Sequence, residues 1–305
     1  VKSKKSTKVV AVNPSAQMNP SPEITITPTP VSGPESTLQI IEGTLADCPD
    51  LGVGGGRCFD PSMDKPQPYV IPNQNVVWSA GLETGDISEW SEHGGFVQRN
   101  PTDIYQVTSA LAHKGNYSLG LTIDTTAPSP SGAYAAYMFI WDYNFLSEDA
   151  YYYSAWYYLP EGLELGDWWN WWNIMQWKST AKGPTGPSSP IFVLDISENN
   201  GHFDLRLIQF PDKSYKKTYN QNIMAVPFGR WFHIEGYYKR SQTTDGQVII
   251  WLDGVEIFNV SNVITGLADN TVYWSVNNYT EHMETNPYTI YVDDLAISKS
   301  RVGAN

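Results

Sequence analysis

The sequence is short of cysteine, histidine and long apolar runs, and each shortage narrows what the chain can be. Only two cysteines, Cys48 and Cys58, and five histidines occur in 305 residues. That excludes a disulfide-knit scaffold and a four-thiolate metal site. The two cysteines lack CxxC spacing and have no histidines nearby, which argues against a redox or zinc pair. They flank nine residues of a Gly-rich segment, DCPDLGVGGGRCFDP. A cross-link closing a loop of that size is worth roughly 2 to 3 kcal/mol in the chain-entropy model. A Cys48–Cys58 disulfide is therefore expected, and with it an oxidising compartment and a secreted or extracellular protein. No apolar run approaches the roughly 20 residues a membrane-spanning helix needs; no signal-peptide pattern is read either, and with Val1 as the first residue a leader removed beforehand stays open. Positive charge is also scarce. With a formal charge of −13, the chain is a poor candidate for nucleic acid or anionic membranes, which are held by basic surfaces.

What is present divides the chain in three. Residues 1–37 begin with the basic VKSKKSTK and continue through NPSPEITITPTPVSGPES. This Pro/Ser/Thr-rich composition cannot bury enough surface to fold alone and reads as a linker or tether to a cell surface or larger assembly. Residues 38–75 form an extended segment around the cysteine pair. From Val76 to Asn305 the pattern changes to short alternating segments separated by turn residues such as ENNGH, TTDGQ and LDGVE. No segment shows a sustained 3.6-residue period. The chain is 41% apolar, enough for a full core, and the fold class expected of residues 76–305 is all-β, an antiparallel β-sandwich.

One stretch stands out, YYYSAWYYLPEGLELGDWWNWWNIMQWK from Tyr151 to Lys178. It opens on a strand with aromatic residues on both faces. After Pro160 and Gly162 comes a loop with Trp168, Trp169, Trp171 and Trp172, four indoles in five residues, too many to be all core and well suited to stacking on sugar rings. In the strand that follows, simple alternation places Ile174, Gln176 and Lys178 on one face and Asn173, Met175 and Trp177 on the other. Between Trp168 and Gln242 there are nine Lys/Arg against five Asp/Glu, so positive potential lies beside the aromatic loop of an otherwise acidic chain.

The order LETGDISEW, YQVTSALAHKGNYSL, YYSAWYYLP, WNIMQWK, GRWFHIEGYYKR, DGQVIIWLDGVEIF and YVDDLAIS, over roughly residues 76–300, resembles the heparin-lyase-like polysaccharide lyases, which are concanavalin-like β-jelly rolls. The resemblance implies β-elimination on a uronic-acid-containing polysaccharide. Such chemistry needs a group to neutralise the uronate carboxylate, a base to take the neighbouring proton and an acid for the leaving oxygen. Lys178 is a candidate for neutraliser or base, Gln176 for hydrogen bonding the carboxylate, and Tyr279, in VNNYTEH, for base and acid by turns. The family's strand usually ends Gln-Trp-His where this chain has Gln176-Trp177-Lys178, and its Arg-Ser-Glu signature is replaced by GAYAAYMFIW. A lysine with a tyrosine is similar to the equipment of another jelly-roll alginate lyase family.

Further candidates for substrate binding are Arg206, in FDLRLIQF, and His233, which shares a strand face with Glu235 in RWFHIEGYYKR. Glu83 and the pair Asp293–Asp294 lie on the first and last strands, which pair side by side in a jelly roll, and are expected to share a structural Ca²⁺. The partner expected is a polysaccharide or glycan. A non-catalytic glycan-binding or adhesion module, and a purely structural surface protein, are the alternatives to an enzyme.

Overall fold

The computed structural model describes residues 75–304 apart from 92, 131, 141–145, 147, 167–170, 180–188, 200–201, 211–215 and 268–271. The expected Cys48–Cys58 disulfide, the 1–37 tether, nearly all of the 38–75 segment, and Trp168 and Trp169 lie outside the described residues.

The strands run in order β1 (Val76–Ala80), β2 (Gly94–Gln98), β3 (Ile104–Thr108), β4 (Ser118–Ile123) and β5 (Tyr134–Ile140). They continue as β6 (Ala150–Tyr158), β7 (Trp172–Ser179), β8 (Ser189–Asn199), β9 (His202–Gln209) and β10 (Lys217–Ala225). The last five are β11 (Trp231–Lys239), β12 (Gly246–Leu252), β13 (Val255–Val263), β14 (Tyr273–Thr280) and β15 (Tyr288–Ser298). Among the described residues they form two antiparallel sheets. One has eight strands in the order β13-β12-β11-β6-β15-β4-β3, with β1 added beside β15; the other has seven in the order β10-β9-β8-β7-β14-β5-β2. The sheets face each other as a jelly-roll sandwich, the architecture the strand spacing predicts.

Local chemistry explains the register. The β12–β13 hairpin turns on Asp253 and Gly254, both with positive φ (48° and 81°), the combination a type I′ turn demands and Asp-Gly supplies. On β6 the inward residues Tyr151, Tyr153, Ala155 and Tyr157 are all buried, and the outward Tyr152, Trp156 and Tyr158 are partly exposed. Aromatic rings fill the space between the sheets. Trp177 from β7 stacks on Tyr238 from β11 at 4.8 Å and meets Tyr153 edge-on at 5.7 Å.

This packing leaves no room at Gly236, where an added Cβ would stand 2.6 Å from the Trp177 ring. Overpacking of this kind costs about 1–3 kcal/mol, and in a domain of this size each kcal/mol lowers the melting temperature by about 2–4 °C. Gly236→Ala is expected to show that loss in a thermal melt. An unchanged melting temperature would mean that Trp177 is not wedged against β11.

Candidate active site

The floor of the site is the face of the seven-stranded sheet turned away from the core, and a bulge in β7 decides which residues reach it. Asn173 pairs with Asp195 and Met175 with Leu194, so Ile174 is an extra residue between them. Ile174 and Met175 both enter the core, and the alternation shifts by one. Asn173 therefore joins Gln176 and Lys178 on the cleft face. Simple alternation had placed Asn173 opposite them and grouped Ile174 with them; the inserted residue is the reason for the difference.

These side chains line a cleft of about 430 Å³ that also includes Arg99, Trp171, Asp195, Lys216, Tyr279 and Glu281. Lys178, Gln176 and Tyr279, far apart in sequence, thus open on one space. Sheet order accounts for this: β14, carrying Tyr279, lies between β7 and β5, and β2 beyond β5 delivers Arg99 at its end.

Electrostatics sets the protonation of the cleft groups. Burial, with the Arg99 guanidinium as a second cause, lowers the Lys178 ammonium to about 8. Tyr279 moves the other way, its phenol raised chiefly by burial. Arg99 lies 5.0 Å over the Tyr279 ring and Trp171 meets that ring edge-on at 4.9 Å.

An amide relay fixes Gln176. Ser275 Oγ donates to Asn277 Oδ1 (2.8 Å), Asn277 Nδ2 to Asn173 Oδ1 (2.7 Å) and Asn173 Nδ2 to Gln176 Oε1 (3.0 Å). Gln176 Nε2 is left buried with no hydrogen-bond partner among the described residues. A buried donor without an acceptor is costly, and one lining a cleft is ready for an acceptor on a ligand. The neighbouring Asn278 points inward instead, donating to the carbonyls of Leu121 and Tyr288 (both 2.9 Å) and accepting from Trp172 Nε1 (2.9 Å).

The remaining candidates are dispersed. Trp171 is half-buried at the cleft wall, but Trp172 is fully buried in the core and is not available for stacking on a ligand. Arg206, on β9, does not line the cleft; it lies 3.8 Å from Asp195 and lines a neighbouring hollow with Asn220 and Gln221. His233 stands on the other sheet, on its outward face, and does not line the cleft. It is buried, its Nε2 is 2.7 Å from Ser154 Oγ, and burial lowers its imidazolium to about 4. Its neighbour Glu235 is taken by Arg301 Nε (3.0 Å) and the backbone N–H of Val302 (2.6 Å).

The carboxylates expected to hold calcium are engaged in tying down a loop. Glu83 accepts from the backbone N–H groups of Asn116 and Tyr117, and an added Cβ at Gly115, which has φ +71°, would meet its carboxyl carbon at 2.2 Å. Asp293 accepts from the N–H groups of His113 and Asp294, and Asp294 Oδ2 is 2.6 Å from His113 Nδ1. Strands β1 and β15 do pair antiparallel. Among the described residues, however, no three His, Cys, Asp or Glu side chains group to hold a metal ion. No step is assigned to calcium.

The jelly-roll sandwich thus carries, across one sheet, a cleft floored by amides and lined by three cations and two carboxyl groups. The polysaccharide lyase family model matches residues 82–296, and the chain belongs to that family. The family shown is broad, coarser than the heparin-lyase-like placement suggested by the strand motifs. Among solved structures, the chain is similar to an endo-β-1,4-glucuronan lyase from the fungus Trichoderma reesei, with 18% identity, TM-score 0.55, and 71% of this chain and 93% of that one covered. It is also similar to an alginate lyase from Chlorella virus (10% identity, TM-score 0.50, 74% and 100% covered) and to one from Aplysia kurodai (12%, 0.50, 73% and 98%). At these identities the likeness is one of fold. The comparison with curated proteins gave no match. No helix among the described residues is long and apolar enough to cross a membrane.

Proposed function

We propose that this chain cleaves a uronic-acid-containing polysaccharide by β-elimination, with Lys178 as base, Tyr279 as acid and the Gln176 amide, assisted by the charge of Arg99, holding the uronate carboxylate. The observation that carries this reading is the opposed tuning of Lys178 and Tyr279 within one cleft. With its ammonium lowered to about 8, Lys178 is about one-tenth neutral at pH 7, whereas Tyr279 is held in the protonated state that can donate. Lys178 takes the proton from the carbon bearing the carboxylate and the electron pair forms the new C=C bond. As that double bond forms, the bond to the glycosidic oxygen breaks and Tyr279 protonates that oxygen. Hydrogen bonding of the carboxylate by Gln176 Nε2 stabilises the charge that develops as the proton leaves.

The test is the absorbance of an unsaturated uronate product while the purified chain is mixed with glucuronan, alginate, heparin and pectate. Absence of product from every polymer rejects the lyase reading in favour of a glycan-binding module, for which Trp171 at the cleft wall supplies a stacking surface. A pH profile tests the assignment of the base. As pH rises Lys178 loses its proton, so kcat is expected to rise through an ionisation moved upward from about 8 by the bound carboxylate. A kcat that falls over the same range would make Lys178 a charge neutraliser instead. The heparin-lyase-like placement is part of this proposal, as is action outside the cell, which rests on the Cys48–Cys58 spacing, with residues 1–37 as a tether.

A further inference from the structure

A row of side chains crosses the seven-stranded sheet at right angles to its strands. Residues paired across neighbouring strands run Tyr279, Asn173, Asp195, Arg206 and Asn220, one on each strand from β14 to β10. Their spacing is the interstrand distance of about 4.8 Å, close to the length one pyranose ring adds to an extended chain. Asp195, in the middle of the row, lines the cleft beside Asn173 and Gln176 and is only 2% exposed. Its Oδ1 has no hydrogen-bond partner among the described residues. The Arg206 guanidinium stands 3.8 Å from its Oδ2, too far for a hydrogen bond.

A carboxylate kept from water with one oxygen unmatched is costly as an ion. A proton removes the charge and turns the unmatched acceptor into a donor. We propose that Asp195 is a substrate-positioning residue acting in its protonated form, donating its hydroxyl to an oxygen of the saccharide seated over Asn173 and Gln176, so that ionisation of Asp195 weakens binding. This rests on the cleft being a saccharide site.

The electrostatics agree with the geometry. Burial raises the Asp195 carboxyl to about 7, against the opposing pull of Arg206 and Lys216. The charged and titratable groups that act on it or share its cleft are Arg206 on β9, Lys216 leading into β10, Lys178 on β7, Tyr279 on β14, Glu281 just after it and Arg99 at the end of β2. A polyuronate stays ionised across the neutral range, so an ionised Asp195 would set like charge against like. Asp195 would therefore bias the cleft toward the acid side of neutrality, while Lys178 as base favours the alkaline side.

Calorimetric titration with tetrasaccharides of glucuronan and alginate tests this, with Lys178→Ala as the parent protein to prevent turnover and remove the titration of Lys178. In the parent, Kd is expected to rise by up to about tenfold per pH unit once Asp195 ionises. Adding Asp195→Asn, which keeps the shape and the donor, should flatten that dependence near the acid-side affinity. Adding Asp195→Ala should weaken binding about tenfold or more on the acid side, where the donated hydrogen bond is lost. Equal pH dependence in parent and Asp195→Asn, or parent-like acid-side binding in Asp195→Ala, overturns the proposal. Unsaturated product from the wild type together with pH-independent binding keeps the lyase reading and rejects the role of Asp195. Binding that tracks Asp195 without product does the reverse, and neither binding nor product rejects both.

Discussion

Lys178→Ala is expected to lower kcat by about 10² to 10⁴-fold, the range a positioned general base contributes. The fold should survive the change. Lys178 lies near the end of β7, 8% exposed, and burial already disfavours its ammonium, so truncation removes a desolvated charge along with a few methylenes. KM is expected to move much less than kcat, because Gln176, Arg99 and Trp171 remain to hold the saccharide, and an interaction made chiefly in the transition state appears in kcat. Single-turnover assays on the polymer that gives product would read the effect. A variant within about threefold of wild type would remove Lys178 from the chemistry, and an equal loss of affinity would assign it to binding.

The second large effect is expected at Tyr279. Tyr279→Phe removes one hydroxyl and keeps the ring that Arg99 covers and Trp171 abuts. With the proton donor gone, the leaving oxygen departs as an unprotonated alkoxide, and kcat should fall by about 10² to 10⁴-fold with an unchanged melting temperature. The loss should be smaller for a substrate whose leaving group is an acidic phenol, because such a group needs no proton. Equal losses on natural and phenolic substrates would mean that Tyr279 shapes the cleft without donating a proton to the leaving group.

Much of this was legible in the residues. The alternation along β6, the Asp-Gly hairpin and the turn-punctuated segments after Val76 report the sandwich because each is a local rule of strand geometry. Lys178, Gln176 and Tyr279, which line one cleft, stand out in the sequence because a lysine and an amide two residues apart on one strand face break an otherwise apolar pattern, and because VNNYTEH carries the resemblance. What could not be read was long-range or irregular. Asn173 was assigned to the wrong face because the insertion of Ile174 leaves no mark in composition. Arg99 enters through the order of strands in the sheet, which no local pattern encodes. Asp195 carries no local mark, because its place between Asn173 and Arg206 is set by strand pairing. Trp172 was grouped with the stacking indoles because proximity in sequence hides that it opens β7 on the core side, whereas Trp171 one residue earlier stays at the cleft wall.

The relay from Ser275 to Gln176 has a direction. Each group in it gives a proton to the next, Ser275 to Asn277, Asn277 to Asn173, Asn173 to Gln176, and a primary amide whose oxygen is occupied can turn only its nitrogen outward. The last member has no freedom to choose what it presents. As these side chains are placed, the floor offers a proton at Gln176 Nε2 rather than a lone pair. Selectivity for an electron-rich group is in this way written into the orientation of neutral side chains, where added salt, which screens Arg99 and Lys216, does not erase it.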